Sequence, residues 1–381
     1  MSPNYFLENS SVSYGHVSEL DISTFRGVKG LKLKDLSRFN LLVGRNNSGK
    51  TSILEALAFV LSRGDLLRLF RSVRERDSRS NVALSGPYYL IDVIQAIFPA
   101  AGNAFIDETF EGEISLSATL GSTVECVWAR CVKETEREPD LGFVEPTYNP
   151  VLSLSIGGQQ HDKRTNQAVV VDELSYRIKA GESLFRSYER SRRILAYEYV
   201  SPYGHRNSNN AERFAKIAAE DSNLRNEVVE MLAKLDPRIK DFIYAPLPGR
   251  RGGRVFVNID GENVVPLAAM GDGIRRIFSL AASMQAAKSG VLLLDEVEAA
   301  FHVGILKNVY AWLIEEAQRL DVQIVATCHS LEAITALAEV TSDRPELPLK
   351  AYRLGLKEGL AFPISGRDLY SMVLESGLDI R

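Results

Sequence analysis

Residues 44–51 constrain the fold more than any other segment, because GRNNSGKT matches the pattern G-x-x-x-x-G-K-[ST] without a mismatch. An apolar run at residues 39–43, FNLLV, precedes it and predicts a short buried strand. Apolar residues then recur at helical spacing as far as Leu61. A strand, a glycine-containing loop and a helix in this order are typical of a phosphate-binding loop. The alternative is a chance match in a glycine-containing turn.

Each part of this loop has a role that its chemistry explains. Gly44 and Gly49 allow backbone angles and a close approach that a side chain would block, and backbone N–H groups surround the phosphates. We expect Lys50 to reach the β- and γ-phosphates of ATP and Thr51 to place its hydroxyl on Mg²⁺. The loop residues predicted to contact the nucleotide are Gly44, Arg45, Asn46, Asn47, Ser48, Gly49, Lys50, Thr51 and Ser52.

A second segment, residues 291–296, is an apolar run that ends in two carboxylates, VLLLDE. A carboxylate at the end of a buried strand can hold Mg²⁺, directly or through water, opposite the phosphate loop. Asp295 is predicted to take that role, and Glu296 is predicted to polarise the attacking water. The alternative is an acidic strand end that only turns the chain into solvent.

His329 follows a third apolar run, residues 323–327, and is predicted to sense the γ-phosphate by hydrogen bonding. The alternative is a surface histidine beside a helix cap, with Ser330 as the capping residue. Glu298 and His302 lie four residues apart, just after the acidic pair. That spacing favours a polar face near the catalytic centre over a metal site.

Length and charge set broad limits. The 381 residues allow one large domain with an inserted lobe or two domains, and a formal net charge of −4 gives no compositional case for nucleic-acid binding. Three cysteines without a C-x-x-C pair argue against zinc and suit a reducing cytoplasm. The first residues lack the pattern of a signal peptide, and no apolar run is long enough to predict a membrane-spanning helix.

The order of elements predicts an α/β fold with a mixed or parallel sheet flanked by helices, because strands alternate with helices at both ends of the chain. Residues 111–175 are predicted to be rich in strands with a loop over 133–149, and residues 211–235 to form two helices. We divide the chain into a discontinuous core of residues 1–62 and 254–381, an inserted helical and strand-rich lobe of residues 63–200, and a helical lobe of residues 201–253.

Four motifs together carry a family resemblance: GRNNSGKT, MGDGIRR, LLLDEVEAAFH and TCHS. They resemble the ABC-type ATPase heads of the RecF, SMC and OLD families over about residues 15–62 and 255–340. The resemblance implies hydrolysis of ATP with Mg²⁺ and a homo-oligomer in which two heads sandwich two nucleotides. It does not identify the glutamine of the Q-loop, whose position stays unassigned.

In such heads, each phosphate loop faces the signature motif of the partner. The resemblance places that motif at residues 270–273, with Gly271, Asp272 and Gly273 as nucleotide contacts before a helix expected to start at Ile274. Many relatives have serine where Asp272 stands, which weakens the case for a direct side-chain contact with the γ-phosphate. The backbone amides around Gly271 and Gly273 and the helix dipole could still bind the γ-phosphate. A glycine-rich helix cap is the alternative.

Within this group the chain looks most like the stand-alone, TOPRIM-less ATPases related to the OLD family. It lacks the heptads of an SMC coiled coil, and the residues after His329 are too few for a TOPRIM domain. This resemblance implies a regulatory ATPase that works with a separate effector, a nuclease or a toxin, in anti-phage defence.

Two alternatives remain: a scaffold that binds ATP without hydrolysis, and a RecF-like DNA-repair ATPase. The RecF-like alternative predicts a basic channel lined by arginines. The other explanation for these arginines is that they form a solvated helix face. The candidate residues are Arg63, Arg68, Arg71, Arg74, Arg76, Arg250, Arg251 and Arg254.

Overall fold

The computed structural model describes residues 16–65, 94, 96–99, 110–137, 148–179, 193–206, 208–219, 221–246, 253–261, 264–355 and 359–381. The strands are β1 (Val17–Phe25), β2 (Val28–Leu33), β3 (Phe39–Val43), β4 (Phe110–Leu120), β5 (Thr123–Arg137), β6 (Tyr148–Asp162), β7 (Gln167–Lys179), β8 (Tyr197–Val200), β9 (Ile239–Pro246), β10 (Gly253–Ile259), β11 (Val265–Pro266), β12 (Val291–Leu294), β13 (Gln323–Cys328), β14 (Leu349–Leu354) and β15 (Ala361–Ser365). The α-helices are α1 (Lys50–Leu61), α2 (Ser208–Ala218), α3 (Ser222–Leu235), α4 (Asp272–Ala286), α5 (Leu306–Arg319), α6 (Leu331–Asp343) and α7 (Gly366–Tyr370).

A six-stranded sheet in the order β15-β14-β3-β13-β12-β8 forms the centre of the fold. Its strands pair in parallel from β14 to β8, and β15 joins the edge antiparallel to β14. This confirms the predicted α/β class with a mixed, mainly parallel sheet. The short strands β3, β12 and β13 are buried along their whole length, which explains why their sequences are almost continuously apolar.

Alternate residues of these strands enter two different hydrophobic cores, because successive side chains of a strand point to opposite faces. Leu41 and Leu292 pack in one core with residues of α2 to α6. Leu42 and Leu293 pack in the other core with α1 and with strands of a second sheet. The central sheet is therefore covered on both faces, as a parallel sheet requires.

The second sheet is antiparallel, with the order β2-β1-β4-β5-β6-β7. It joins strands that lie far apart in the sequence, since β1 pairs with β4 and α1 packs against both of them. A third, small sheet of β11, β10 and β9 lies beside α2, α3 and α4. Phe214, Phe242 and Phe278 pack there in tilted and edge-to-face contacts at centroid distances of 5.0–6.0 Å and join this sheet to the helices.

The structure corrects several predicted boundaries. β5 runs on to Arg137 and β6 begins at Tyr148, so strands occupy both ends of the predicted loop over 133–149. α4 begins at Asp272, not at Ile274, which puts Asp272 and Gly273 in its first turn. Most of the helical part predicted for the inserted lobe of residues 63–200 lies outside the described residues. The three-part division of the chain stays a prediction, and the described helices include none long and apolar enough to cross a membrane.

Candidate active site

Three loops meet at one edge of the central sheet, because they follow the neighbouring parallel strands β3, β13 and β12. The phosphate loop follows β3, His329 follows β13, and Asp295 and Glu296 follow β12. The carboxyl ends of adjacent parallel strands are where α/β proteins bind ligands. Segments separated by some 250 positions in the sequence therefore come together in one place.

The phosphate loop has the backbone conformation that its sequence predicts. Asn47 and Gly49 have φ values of 65° and 86°, a left-handed region that glycine and asparagine tolerate best. A Cβ atom on Gly49 would also lie 2.9 Å from Val28 Cγ2. α1 starts at the next residue, Lys50, so its free N–H groups open onto the loop and favour an anion there.

The Lys50 side chain is buried and lies across the phosphate loop. Its Nζ donates to the carbonyl oxygens of Gly44 at 2.6 Å and Arg45 at 2.9 Å. Burial lowers the pKa of the Lys50 amine, and nearby acidic groups, Asp295 and Glu298 among them, partly oppose this. The charged form therefore lacks a fully compensating anion in the protein, which makes the site ready for a phosphate.

Asp295 is 3% exposed and lies at the centre of a hydrogen-bond cluster. Its Oδ1 accepts from Thr51 Oγ1 at 3.1 Å and from Thr327 Oγ1 at 2.7 Å, and its Oδ2 accepts from Tyr199 OH at 3.2 Å. A carboxylate beside a hydroxyl at the start of α1 gives the hard oxygen donors that Mg²⁺ prefers. The residues present thus fit the ion.

Within the described ranges, no group of three or more His, Cys, Asp or Glu side chains could hold a metal. That is compatible with Mg²⁺, which keeps several waters and is commonly bound by one or two protein ligands together with substrate phosphates.

Glu296 has a left-handed backbone conformation, with φ of 49°. Its N–H donates to Thr327 Oγ1 at 2.8 Å, and the next N–H, of Val297, donates to the Thr327 carbonyl at 3.0 Å. The pKa of Glu296 is raised, first by burial and then by the charges of Asp295 and Glu298, while His329 lowers it. A carboxylate of raised pKa is a better proton acceptor, which suits a group that polarises water.

His329 lies next to both glutamates of the acidic segment. Its Nδ1 is 3.8 Å from Glu296 Oε1 and 3.2 Å from Glu298 Oε1. Ser330 caps α6 by accepting from Ala333 N, as the alternative interpretation expected. The cap and a role for His329 are compatible, because the cap uses only the serine.

Two pockets flank the phosphate loop. One, of about 390 Å³, lies between the β1–β2 turn, loop residues 47–49 and the segment after Leu354. The other, of about 580 Å³, is lined by loop residues 44–46 together with His329, Arg353, Asp379 and Arg381. The first lies on the side of the β1–β2 turn, and the second lies on the side of His329.

The predicted signature residues make their contacts elsewhere. Asp272 carboxylate oxygens lie 3.4 Å from His205 Nε2, 3.8 Å from Arg206 Nη2 and 3.2 Å from Arg275 Nη1. Gly271 is the N-cap of α4, and a Cβ on Gly273 would lie 3.2 Å from the Ala300 carbonyl. The charge of Asp272 is thus balanced by the guanidinium groups of Arg206 and Arg275.

One turn further along α4, a fully buried arginine ties this helix to the acidic pair. Arg276 Nη1 donates to the Ser201 carbonyl at 2.5 Å, and Nη2 lies 3.4 Å from the carbonyls of Asp295 and Glu296. Burial lowers the pKa of its guanidinium to about 10. The helix α4, the segment after β8 and the turn after β12 therefore meet at one buried cation.

Sequence reasoning missed four residues of this arrangement: Tyr199, Arg276, Thr327 and the contact role of Glu298. A polar Thr327 at the end of an apolar strand was a usable signal, since strand ends carry sites in parallel sheets. Tyr199 and Arg276 gave no such signal. Glu298 and His302 do not share a helical face, because residues 297–300 form turns and His302 Nδ1 accepts from Gly304 N.

Two of the candidate DNA-contact arginines lie within the described residues. Arg63 pairs with the buried Glu125 at 3.5 Å, and Arg254 is exposed on β10. The other six candidates, at positions 68, 71, 74, 76, 250 and 251, lie outside the described residues.

Comparison with known proteins gives both a family and full-length relatives. A family model described as "AAA domain, putative AbiEii toxin, Type IV TA system" matches residues 39–335. An "ATP/GTP phosphatase" of Helicobacter pylori is 21% identical over 353 residues, which cover 86% of this chain and 89% of that protein. The RecF DNA replication and repair protein of Nitrosococcus oceani is 44% identical over 59 residues, only 16% of this chain and 15% of that protein.

Solved structures of Smc heads are also similar. A Smc head with an extended coiled coil, bound to the C-terminal domain of ScpA from Pyrococcus furiosus, has a TM-score of 0.45 and 14% identity, covering 95% of this chain and all of that chain. The Smc head of Thermotoga maritima has a TM-score of 0.38 and 14% identity, covering 92% and 98%.

Proposed function

This chain belongs to the family described as "AAA domain, putative AbiEii toxin, Type IV TA system". We propose that it is an ABC-type ATPase of the RecF/SMC group, which hydrolyses ATP at the Asp295 cluster in sites completed by a second copy. One observation carries the proposal: Asp295 accepts hydrogen bonds from both Thr51 of the phosphate loop and Thr327 of β13. This joins three motifs into one polar centre beside the loop.

The protein groups divide the chemistry between them. The loop N–H groups and Lys50 hold the phosphates and neutralise their charge. Thr51 and Asp295 would hold Mg²⁺, which when bound neutralises charge on the β- and γ-phosphates. Glu296 accepts a hydrogen bond from the attacking water, and His329 contacts the γ-phosphate from the side of the larger pocket.

The proposal that sites are shared between two copies rests on the position of Asp272. Its contacts are with His205, Arg206 and Arg275 rather than with the phosphate loop of its own chain. The helix start at residues 271–273 then remains available to a second molecule. In that molecule's site, the backbone N–H groups of the helix start would face the γ-phosphate. The negative charge of Asp272 would repel the phosphate less, because Arg206 and Arg275 neutralise it.

A substitution that blocks hydrolysis tests both the proposed hydrolysis and the proposed assembly of two copies. Glu296→Gln is expected to lower kcat by about 10² or more while leaving ATP binding intact, so that an assembled species accumulates with Mg-ATP in size-exclusion chromatography with light scattering. The matched control is Glu315→Gln, because Glu315 is an exposed glutamate on α5 that pairs with Arg344. A Glu296→Gln protein that hydrolyses ATP at the wild-type rate would refute the assignment of the water-polarising residue.

We further propose that this ATPase acts in the cytoplasm and regulates a separate effector, a nuclease or toxin, in anti-phage defence. The family description, which names a toxin of toxin–antitoxin systems, supports a toxin-linked role. Co-purification of the product of the adjacent gene with the Glu296→Gln protein, with and without ATP, tests this proposal. Salt-dependent affinity for duplex DNA would favour the RecF-like alternative instead.

ATP is the proposed substrate because the sequence has no N-K-x-D guanine-recognition motif. The Helicobacter pylori relative is described as an ATP/GTP phosphatase, so kcat/KM for both nucleotides decides the point. A GTP value equal to that of ATP would contradict the proposal.

A further inference from the structure

Glu298 holds the turn that carries His329. Its Oε1 accepts from the His329 N–H at 2.9 Å and from the Ser330 N–H at 3.2 Å. The Glu298 side chain is only 10% exposed, although the bond with the His329 N–H lies at the surface, and a buried carboxylate that loses its hydrogen-bond donors is destabilised. The carboxylate thus fixes the backbone of the turn between β13 and α6.

The same oxygen also faces the imidazole ring. His329 Nδ1 lies 3.2 Å from Glu298 Oε1, whereas Glu296 Oε1 is farther away, at 3.8 Å, and belongs to a side chain that is 42% exposed. An ionised carboxylate can only accept hydrogen bonds. A proton at Nδ1 would face this carboxylate oxygen, and Nε2 would then be the nitrogen left for other partners.

The two carboxylate oxygens of Glu298 have different surroundings. Its Oε1 also receives a weak bond from Cys328 Sγ at 3.3 Å, while Oε2 is buried without a hydrogen bond in the described part of the chain. A buried carboxylate with one unsatisfied oxygen is costly to keep unless its charge is used. The cations of Lys50 and Arg276 interact with this carboxylate electrostatically, and the His329 ring contacts it directly, with Nδ1 3.2 Å from Oε1.

We propose that Glu298 is a positioning residue for ATP hydrolysis, which orients His329 and keeps the ring protonated at Nδ1. This inference rests on the proposed role of His329 at the γ-phosphate. When the ring carries both protons, Nε2–H donates to a phosphate oxygen and Glu298 balances the charge of the imidazolium. When it carries one, Nδ1–H stays on Glu298.

The proton position can be observed without activity. The chain has five histidines, so ¹⁵N-histidine labelling gives a small set of ring signals in NMR, and His329→Ala assigns those of His329. We expect His329 to have the Nδ1–H form in wild type at a pH where it is neutral. Glu298→Ala should convert it to the Nε2–H form or to a mixture. A wild-type ring protonated only at Nε2 overturns the inference.

A double-mutant cycle tests whether Glu298 acts through His329. Glu298→Ala should lower kcat by about 10- to 100-fold, the range typical for a group that orients a functional histidine, with KM for ATP changed by less than about threefold. In the His329→Ala background the same substitution should cost less than about twofold further. Losses that multiply in the double variant overturn the inference.

Two more variants control for folding and for local charge. Glu298→Gln keeps an oxygen acceptor for the turn and should retain more activity than Glu298→Ala if the alanine protein folds poorly. Glu332→Gln removes an exposed carboxylate that bonds Ser330 Oγ at 2.6 Å on the same turn, and wild-type kcat is expected. If His329→Ala itself has wild-type kcat, the proposed role of His329 fails, while the NMR result still decides whether Glu298 sets the proton position.

Discussion

Thr327 Oγ1 donates to Asp295 Oδ1 across 2.7 Å. The same hydroxyl accepts from the N–H of Glu296 at 2.8 Å, so one side chain sets the position of the proposed metal ligand and of the proposed water-polarising residue. β12 and β13 pair in parallel, with Leu294 opposite Ala326. That register brings Thr327, the next residue of β13, level with Asp295 at the end of β12.

Thr327→Val should therefore impair hydrolysis much more than nucleotide binding. The change keeps the shape and removes the hydroxyl, and a hydrogen bond to a charged group is worth about 1.5–3 kcal/mol. Since each tenfold in rate is about 1.4 kcal/mol, we expect kcat to fall at least about tenfold in a steady-state ATPase assay. Thr335→Val, which loses only a bond to a helix carbonyl, should keep wild-type kcat.

Lys50→Met should abolish stabilisation by nucleotide without harming the free protein. Wild type should gain about 2.7 kcal/mol of unfolding free energy with Mg-ATP at 100 times its Kd, and the variant should gain none, as measured by thermal unfolding. Because burial disfavours the charged form of Lys50, the nucleotide-free variant should be no less stable than wild type. Lys288→Met, at an exposed position after α4, should still respond to ATP.

Arg276→Met should both destabilise the fold and slow hydrolysis. It removes the donor to the carbonyl of Ser201 and leaves those of Asp295 and Glu296 without their buried contact. Urea denaturation should show a loss of about 2–4 kcal/mol, since buried groups are left unsatisfied. Gln285→Met, at a half-buried position on the same helix, should cost far less. Equal stability of Arg276→Met and wild type would contradict the contact described here.

His205 should make stability depend on pH. Burial lowers the pKa of its imidazole, and Asp272 only partly opposes this. The folded protein then binds fewer protons at this group than the unfolded chain, whose histidine pKa is about 6.5, so the unfolding free energy falls as the pH drops through that value. His205→Asn cannot gain this charge.

Denaturant unfolding of wild type and His205→Asn at several values of pH measures the effect. The wild-type stability, taken relative to the variant, should decrease as the pH falls through the unfolded-state value of about 6.5. A difference that stays constant with pH would mean that His205 binds its proton equally in both states.

Local sequence patterns were enough to predict the phosphate loop, the buried strands and the fold class of this protein. The phosphate loop could be predicted because its glycines, Lys50 and Thr51 act through the backbone of one continuous segment. The strands β3, β12 and β13 could be predicted because a strand buried on both faces must be apolar throughout. From these elements follow the α/β class and the expectation that Asp295, Glu296 and His329 share one edge of a parallel sheet.

Tertiary structure alone decided which side chains meet there. Strand order and register bring Thr327 and Tyr199 to Asp295, and no spacing in the sequence encodes that pairing. The turn after Glu296 directs Glu298 to the His329 loop instead of along a helix, and the fold buries Arg276 against carbonyls of two other segments. Such contacts depend on distances between segments far apart in the chain, which hydrophobic periodicity cannot specify.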